Sequence, residues 1–137
     1  MSGAPDSAQE RVGAPVAPVA QRVPMRKGLV GRYVELSELR PSEDADTLFP
    51  LTHGDGDRDR VWTYMPYGPF ADAEAMRVWM EEGARSMDPL FFAVRARLSG
   101  AALGMISFLN IVSVHRRVEV GHIWYAPPAQ QIGRAHV

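Results

Sequence analysis

Three strand-like segments follow one another in the second half of the sequence, and they constrain the fold more than any other feature. They are Leu90–Leu98, Leu103–Val114 and Arg116–Tyr125, and Ser99-Gly100 between the first two is a turn signal. Consecutive strands joined by short connections usually pair as antiparallel neighbours. We therefore predict a three-strand antiparallel meander.

The segment before the meander has the clearest helical pattern in the chain. We predict a helix over Asp72–Met87, with Asp72 as its N-cap and Glu74 in its first turn. Asp88-Pro89 would end it, because the residue before a proline avoids helical backbone. Apolar residues recur at helical spacing and predict one buried face: Met76, Trp79, Met80, Gly83 and Met87.

The first part of the chain divides into a tail, a strand and a helix. Residues 1–27 are rich in Pro and Ala and are predicted to be flexible. Leu29–Leu39 predicts a first strand, and a helix is expected from Pro41 to about Phe49-Pro50, followed by a loop over His53–Arg60. A strand, helices and three strands in this order predict an α+β fold, a mixed α/β sheet with helices on at least one face.

Composition excludes several classes of function. The 137 residues carry a net charge of −1, so no whole-chain field attracts nucleic acid or an anionic membrane, and neither is an expected partner. The chain has no cysteine, which excludes disulfides and fits the cytoplasmic location that we expect. No apolar stretch approaches the roughly 20 residues that span a bilayer.

No metal site is predicted. The segment Asp55-Gly56-Asp57-Arg58-Asp59 has the spacing of the first ligands of a calcium loop. Arg60 then stands where that loop needs glycine, and Pro66 stands where it needs glutamate, so we interpret the segment as a solvated loop. None of the four histidines lies in an H-x-x-x-H or H-E-x-x-H arrangement.

Two polar residues of the third meander strand are candidates for a role. Glu119 lies among valines and an isoleucine, where partial burial would suit it to general-base work. The alternative is a half-exposed sheet residue paired with Arg116 or Arg117. His122 is three residues further on, so alternation places it on the opposite face, and we interpret it as a hydrogen-bonded structural histidine.

The segment Trp62–Phe70 is dense in aromatic residues and prolines and predicts an ordered loop. Such a loop either lines an apolar pocket or covers the core, and the sequence leaves both open. The candidate lining residues are Trp62, Tyr64, Tyr67 and Phe70.

Three motifs between residues 28 and 130 resemble the GNAT (GCN5-related) N-acetyltransferase family, in the branch of the RimJ/RimL ribosomal-protein acetyltransferases. They are L-V-G-R-Y-V-E-L-S-E-L-R-P-S-E-D, G-M-I-S-F and V-E-V-G-H-I-W-Y-A-P-P-A-Q. The last is the most specific, because in the family it leads into the cofactor loop. The resemblance implies the N-terminal part of a GNAT-like acyl-CoA N-acyltransferase fold.

The resemblance also implies a site for acetyl-CoA as co-substrate, with no metal. The main chain at Trp124 and Tyr125 would bind the pantetheine arm and polarise the thioester carbonyl. Gln130, Gly133 and Ala135 match the loop pattern Q-x-x-G-x-A, whose N–H groups would hold the pyrophosphate.

The implied reaction is transfer of an acetyl group to a primary amine, on a small molecule or a protein N-terminus, without a covalent acyl-enzyme. Glu119 is the candidate catalytic base, and the loop Trp62–Phe70 would shape the acceptor side. Homodimerisation of the full-length protein stays open. The alternative is a non-enzymatic α+β module that binds a small apolar ligand in the aromatic loop.

The last residues predict a non-native tail. Residues 132–137 read I-G-R-A-H-V, which a common sequencing adapter encodes in one frame. We therefore expect residues 131–137 to be adapter-derived and residues 28–130 to be the N-terminal part of the domain. Such a fragment would bind acetyl-CoA poorly and be inactive by itself.

Overall fold

The computed structural model describes residues 13–15, 17 and 22–134. They form five antiparallel strands in one sheet, whose spatial order is the order along the chain, together with four helices. This confirms the predicted α+β class. The elements are β1 (Leu29–Val30), β2 (Val34–Ser37), α1 (Pro41–Thr52), α2 (Gly56–Asp59), α3 (Ala73–Arg85), β3 (Leu90–Ala96), β4 (Ala102–Val112), β5 (Arg117–Tyr125) and α4 (Pro127–Arg134).

The predicted first strand is two strands. β1 and β2 form a hairpin in which Leu29 lies opposite Leu36, so the single strand over Leu29–Leu39 was wrong. The reason is a tight turn at Gly31, whose N–H donates to the Val34 carbonyl at 2.9 Å. A Cβ on Gly31 would lie 2.9 Å from that oxygen, a distance that side chains essentially never adopt.

The helical region is longer than predicted. α1 continues past Pro50 to Thr52, and the predicted loop over His53–Arg60 contains the short helix α2. Asp55 caps α2 by accepting a hydrogen bond from the Arg58 N–H at 3.1 Å. The Asp55 carboxylate, which had the spacing of a calcium ligand, is therefore the N-cap of a helix.

The long helix α3 begins as predicted, because the Asp72 carboxylate accepts the Ala75 N–H at 2.7 Å. Met76, Met80 and Gly83 are buried and face the sheet core, as the apolar pattern indicated. Met87 lies beyond the end of α3 and is 61% exposed, so its place in that face was wrong.

α1 and α3 pack on one face of the sheet, and a buried ion pair holds α1 there. Asp44 of α1 and Arg95 of β3 are 1% and 3% exposed. Arg95 donates to both carboxylate oxygens, at 2.7 and 2.9 Å, and its Nε donates to the Ser37 hydroxyl at 2.6 Å. The Arg40 N–H donates to the same carboxylate at 2.7 Å, so the charge is fully paired.

The three-strand meander is confirmed. β3 pairs with β4, and β4 pairs with β5, both antiparallel. Ala93, Met105 and Trp124 lie side by side across the three strands and belong to the buried core beneath α1 and α3. β5 is last in the strand order, so in the described part of the chain one of its sides pairs with β4 and the other borders no strand.

Candidate active site at the open edge of the sheet

A β-bulge interrupts β5 at His122. Gly121 lies opposite Ser107 and Trp124 lies opposite Met105, so His122 and Ile123 together oppose the single residue Ile106. His122 adopts left-handed backbone with φ of 49°, as the extra residue of a bulge often requires. The regular alternation of side chains between the two faces of the sheet is therefore interrupted in β5 between Gly121 and Trp124.

The bulge turns His122 towards the face that α1 and α3 cover. Its ring lies 5.3 Å from that of Phe91, which belongs to the core on this face. Glu119 lies opposite Leu109, whose side chain would meet a Cβ on Gly121, so Glu119 shares the same face. The prediction that His122 and Glu119 face opposite ways was wrong, because alternation takes no account of the inserted residue.

The main chain of Tyr125 faces the open side of β5. The Ala126 N–H donates to the Leu103 carbonyl at 2.8 Å, so the polar groups of Ala126 point to β4. Main-chain groups of successive strand residues point to alternate sides, which directs the N–H and C=O of Tyr125 away from β4. The Gln130 side-chain amide donates to that carbonyl at 2.9 Å.

A helix follows β5 at once. α4 begins with Pro127-Pro128, which suits a first helical turn because its N–H groups have no helical partner. Gly133 lies in the last turn of α4, and Ala135 lies outside the described residues. The pyrophosphate contacts of Gln130, Gly133 and Ala135 stay a prediction.

An aromatic cluster covers the helix-side face near the bulge. Trp62 packs on Trp124 with ring centroids 4.9 Å apart, and Tyr67 stacks on His122 at 5.6 Å and 20°. Phe70 packs edge-on against Trp62 at 5.4 Å. Three of the four predicted lining residues thus meet in one cluster. The fourth, Tyr64, is 95% exposed and contacts no ring of the cluster among the described residues.

His53 holds the aromatic loop to the end of α1. The Phe70 N–H donates to its Nε2 at 2.9 Å, so Nδ1 carries the proton and donates to the Phe49 carbonyl at 3.0 Å. The Trp62 indole donates to the Thr52 carbonyl at 2.9 Å. Sequence reasoning missed His53, and its position four residues after Phe49 was the available signal.

Two buried polar atoms in the cluster take no part in these hydrogen bonds. The Tyr67 hydroxyl and the Trp124 indole nitrogen are enclosed, and neither has a hydrogen-bond partner of good geometry in the described part of the chain. Burial raises the pKa of Tyr67 above its usual value, while the nearby indole N–H of Trp124 acts in the opposite direction. Buried polar groups in proteins are usually paired, so this pair is exceptional.

Glu119 is exposed, so the partial burial proposed for it was wrong. Within residues 22–134 it forms no ion pair with Arg116 or Arg117. Neither a buried base nor the alternative of an arginine-paired sheet residue describes it.

The described residues contain no group of three or more His, Asp or Glu side chains arranged to hold a metal ion. Over the same residues, we find no helix whose length and apolar character would allow it to cross a bilayer.

The single antiparallel sheet, with α1 and α3 on one face and a bulged edge strand leading into a helix, defines the acyl-CoA N-acyltransferase fold. A GCN5-related N-acetyltransferase from Brucella melitensis superposes on 84% of the chain with a TM-score of 0.71 and 29% identity. A protein from Chromobacterium violaceum described as a probable acetyltransferase of the GNAT family covers 84%, with a TM-score of 0.68 and 27% identity.

These likenesses confirm the resemblance to the GNAT family. An acetyltransferase of the GNAT family from Bacillus anthracis, at 14% identity and a TM-score of 0.58 over 80% of the chain and 58% of its own length, supports the fold alone. No protein-family model and no curated protein matches the chain. The chain spans 54% of the length of the Brucella protein and 60% of the Chromobacterium protein.

Proposed function

We propose that the chain is part of an acetyl-CoA-dependent N-acetyltransferase of the RimJ/RimL-like branch, which transfers an acetyl group to a primary amine. The observation that carries the proposal is the end of β5, where the main chain of Tyr125 faces the open edge directly before α4. The two solved structures at 29% and 27% identity, described as a GCN5-related N-acetyltransferase and as a probable acetyltransferase, support the same activity.

The residues at this edge fit the co-substrate. The acetyl carbonyl of acetyl-CoA can accept a hydrogen bond from the Tyr125 N–H, because only the carbonyl of Tyr125 is taken up by the Gln130 side-chain amide. Trp124 is 4% exposed and packed on Trp62, so the strand end is held rigidly where the donor is needed. Acetyl-CoA supplies an activated acetyl group, and the Tyr125 N–H would stabilise the charge that develops on its carbonyl oxygen.

The aromatic cluster fits the acceptor side. An amine arrives as an ammonium ion at neutral pH, and the faces of aromatic rings attract such a cation. Tyr67, which stacks on His122 of β5, and Phe70 are both half-buried, while Trp62 is buried behind them. The acceptor is a primary amine of a small molecule or of a protein N-terminus, and the amine must lose a proton before it can attack.

The test replaces the donor alone. Tyr125→Pro removes the N–H, and a proline is tolerated there because this N–H lies outside the sheet ladder. Tyr125→Ala is the matched control, since it keeps the N–H and, like proline, lacks the phenol ring. With protein made from the complete reading frame, whatever its length, we expect Tyr125→Pro to weaken acetyl-CoA binding about 3- to 10-fold, the effect of one hydrogen bond.

Isothermal calorimetry measures the affinity, and amide NMR spectra of the 137-residue chain show whether the Tyr125 signal moves when acetyl-CoA is added. We expect weaker binding by the chain than by a longer reading frame. Equal affinities of the Pro and Ala variants, with an unmoved Tyr125 signal, would refute the proposal. Binding of apolar ligands in place of acetyl-CoA would favour the non-enzymatic module.

A further inference from the structure

His122 occupies an unusual position in the sheet. It is the left-handed residue of the β5 bulge, with φ of 49°, and the bulge directs its ring to the helix-side face. A non-glycine residue in this conformation carries a strain cost, which local structure must offset. The inserted residue thus delivers an imidazole to a face where regular alternation would have placed a different side chain.

The surroundings of the ring are aromatic and not polar. Tyr67 from the aromatic loop stacks on it at 5.6 Å, and Phe91 from β3 lies at 5.3 Å. Among the described residues no hydrogen bond holds either ring nitrogen, so the interpretation of His122 as a hydrogen-bonded structural histidine was wrong. His53 shows the contrast, because both of its ring nitrogens have partners.

The two buried polar atoms that lack a hydrogen bond of good geometry belong to the same aromatic cluster. Tyr67 contacts His122 directly, and the Trp124 indole is two residues along the same strand, 96% buried on the same face. The cluster therefore combines an uncommitted imidazole, a hydroxyl and an indole N–H. Such a set is suited to a polar ligand atom that arrives from outside the described residues.

We propose that His122, and not Glu119, accepts the proton from the amine that the protein acetylates. This inference rests on the proposed function and names its base. One proton of the ammonium passes to a ring nitrogen of His122. The neutral amine forms the C–N bond as the thioester C–S bond breaks, and the second amine proton leaves with the thiol.

The local electrostatics agree with this role. Burial lowers the pKa of His122 below its usual 6.5, which keeps the ring neutral and able to accept a proton at neutral pH. The rings of Tyr67 and Phe91 can stabilise the imidazolium while it lasts. The titratable side chain that contacts its ring is that of Tyr67 from the aromatic loop, and Glu119 on its own strand is exposed.

The experiment compares His122→Asn with Glu119→Gln in protein made from the complete reading frame. Asparagine is chosen because it tolerates left-handed backbone, and circular dichroism checks the fold. Thiol release is followed from pH 5.5 to 9 with phenethylamine, a primary amine with an apolar ring. We expect His122→Asn to lower kcat about 100-fold or more and to abolish the loss of rate at low pH, with acetyl-CoA affinity unchanged.

Glu119→Gln should stay within about 3-fold of the unsubstituted protein, the range expected for an exposed charge that carries no proton. The reverse pattern, with Glu119→Gln inactive and His122→Asn active, would overturn the proposal. A second readout needs no turnover. In NMR spectra of the protein with CoA, the ring signals of His122 should shift when phenethylamine is added.

These readouts separate the two proposals. If no amine is acetylated by the unsubstituted protein, the proposed function fails. The ring signals of His122 then still decide whether an amine reaches it, and unmoved signals overturn the inference.

Discussion

Removing the guanidinium of Arg95 tests the energetics of the fold most directly. In the folded chain this group donates to both oxygens of Asp44, and both side chains are almost completely buried. Arg95→Met keeps the aliphatic bulk and leaves the carboxylate with the Arg40 N–H as its remaining donor. A buried charge that loses its partner costs about 3–5 kcal/mol.

The size of this loss follows from desolvation and not from the attraction itself. Domains unfold with only about 5–15 kcal/mol, so Arg95→Met should remove a large share of the stability. A double variant, Arg95→Met with Asp44→Leu, removes both charges and should recover most of it. The Ser37 hydroxyl, which also loses its donor, is half-buried and can bind water instead.

Urea denaturation followed by tryptophan fluorescence measures the three free energies of unfolding. If Arg95→Met does not fold, circular dichroism should still show a folded double variant. The reasoning is refuted if Arg95→Met costs less than about 1 kcal/mol, the value of an exposed pair. It is also refuted if the double variant is no more stable than the single one.

Two further predictions concern the site. Gly104→Ala should weaken both stability and acetyl-CoA binding, because a Cβ there would lie 2.8 Å from the Tyr125 Cα and closer still to the Trp124 carbonyl. Urea denaturation measures the stability and calorimetry measures the binding. Unchanged values in both would contradict this prediction. Burial raises the pKa of Tyr67, so above about pH 10 the unfolded chain releases this proton first and stability falls with rising pH. Tyr67→Phe should flatten that decline in alkaline denaturation curves, and an unaltered decline would exclude Tyr67 as its source.

The meander and the long helix could be predicted because their signals are local. Apolar residues repeat at one period within each element, and Asp72, Ser99-Gly100 and Asp88-Pro89 mark ends that short-range chemistry fixes. The β1–β2 turn was missed because a single close approach of Gly31 to the Val34 carbonyl sets it. The spacing of apolar residues along the sequence does not reflect that contact, so it could not predict the turn.

The site was predicted less completely, because its geometry depends on residues far apart in sequence. The aromatic loop was found by composition, but the hydrogen bond from Phe70 to His53 spans 17 residues. The bulge that redirects His122 depends on how β5 aligns with β4, and a single strand sequence cannot give that register. Glu119 was chosen for its apolar neighbours in the strand and by the family resemblance, and it proved to be exposed.

The contact between Gln130 and Tyr125 also determines which molecules the sheet edge can accept. A foreign β-strand needs a donor and an acceptor at each pairing position, and here the acceptor is already occupied by the Gln130 amide. A small ligand that offers a single carbonyl oxygen needs only the Tyr125 N–H, which is the donor that remains. One glutamine side chain therefore discourages neighbouring chains from stacking on this edge, while it leaves room for a small guest that brings its own oxygen.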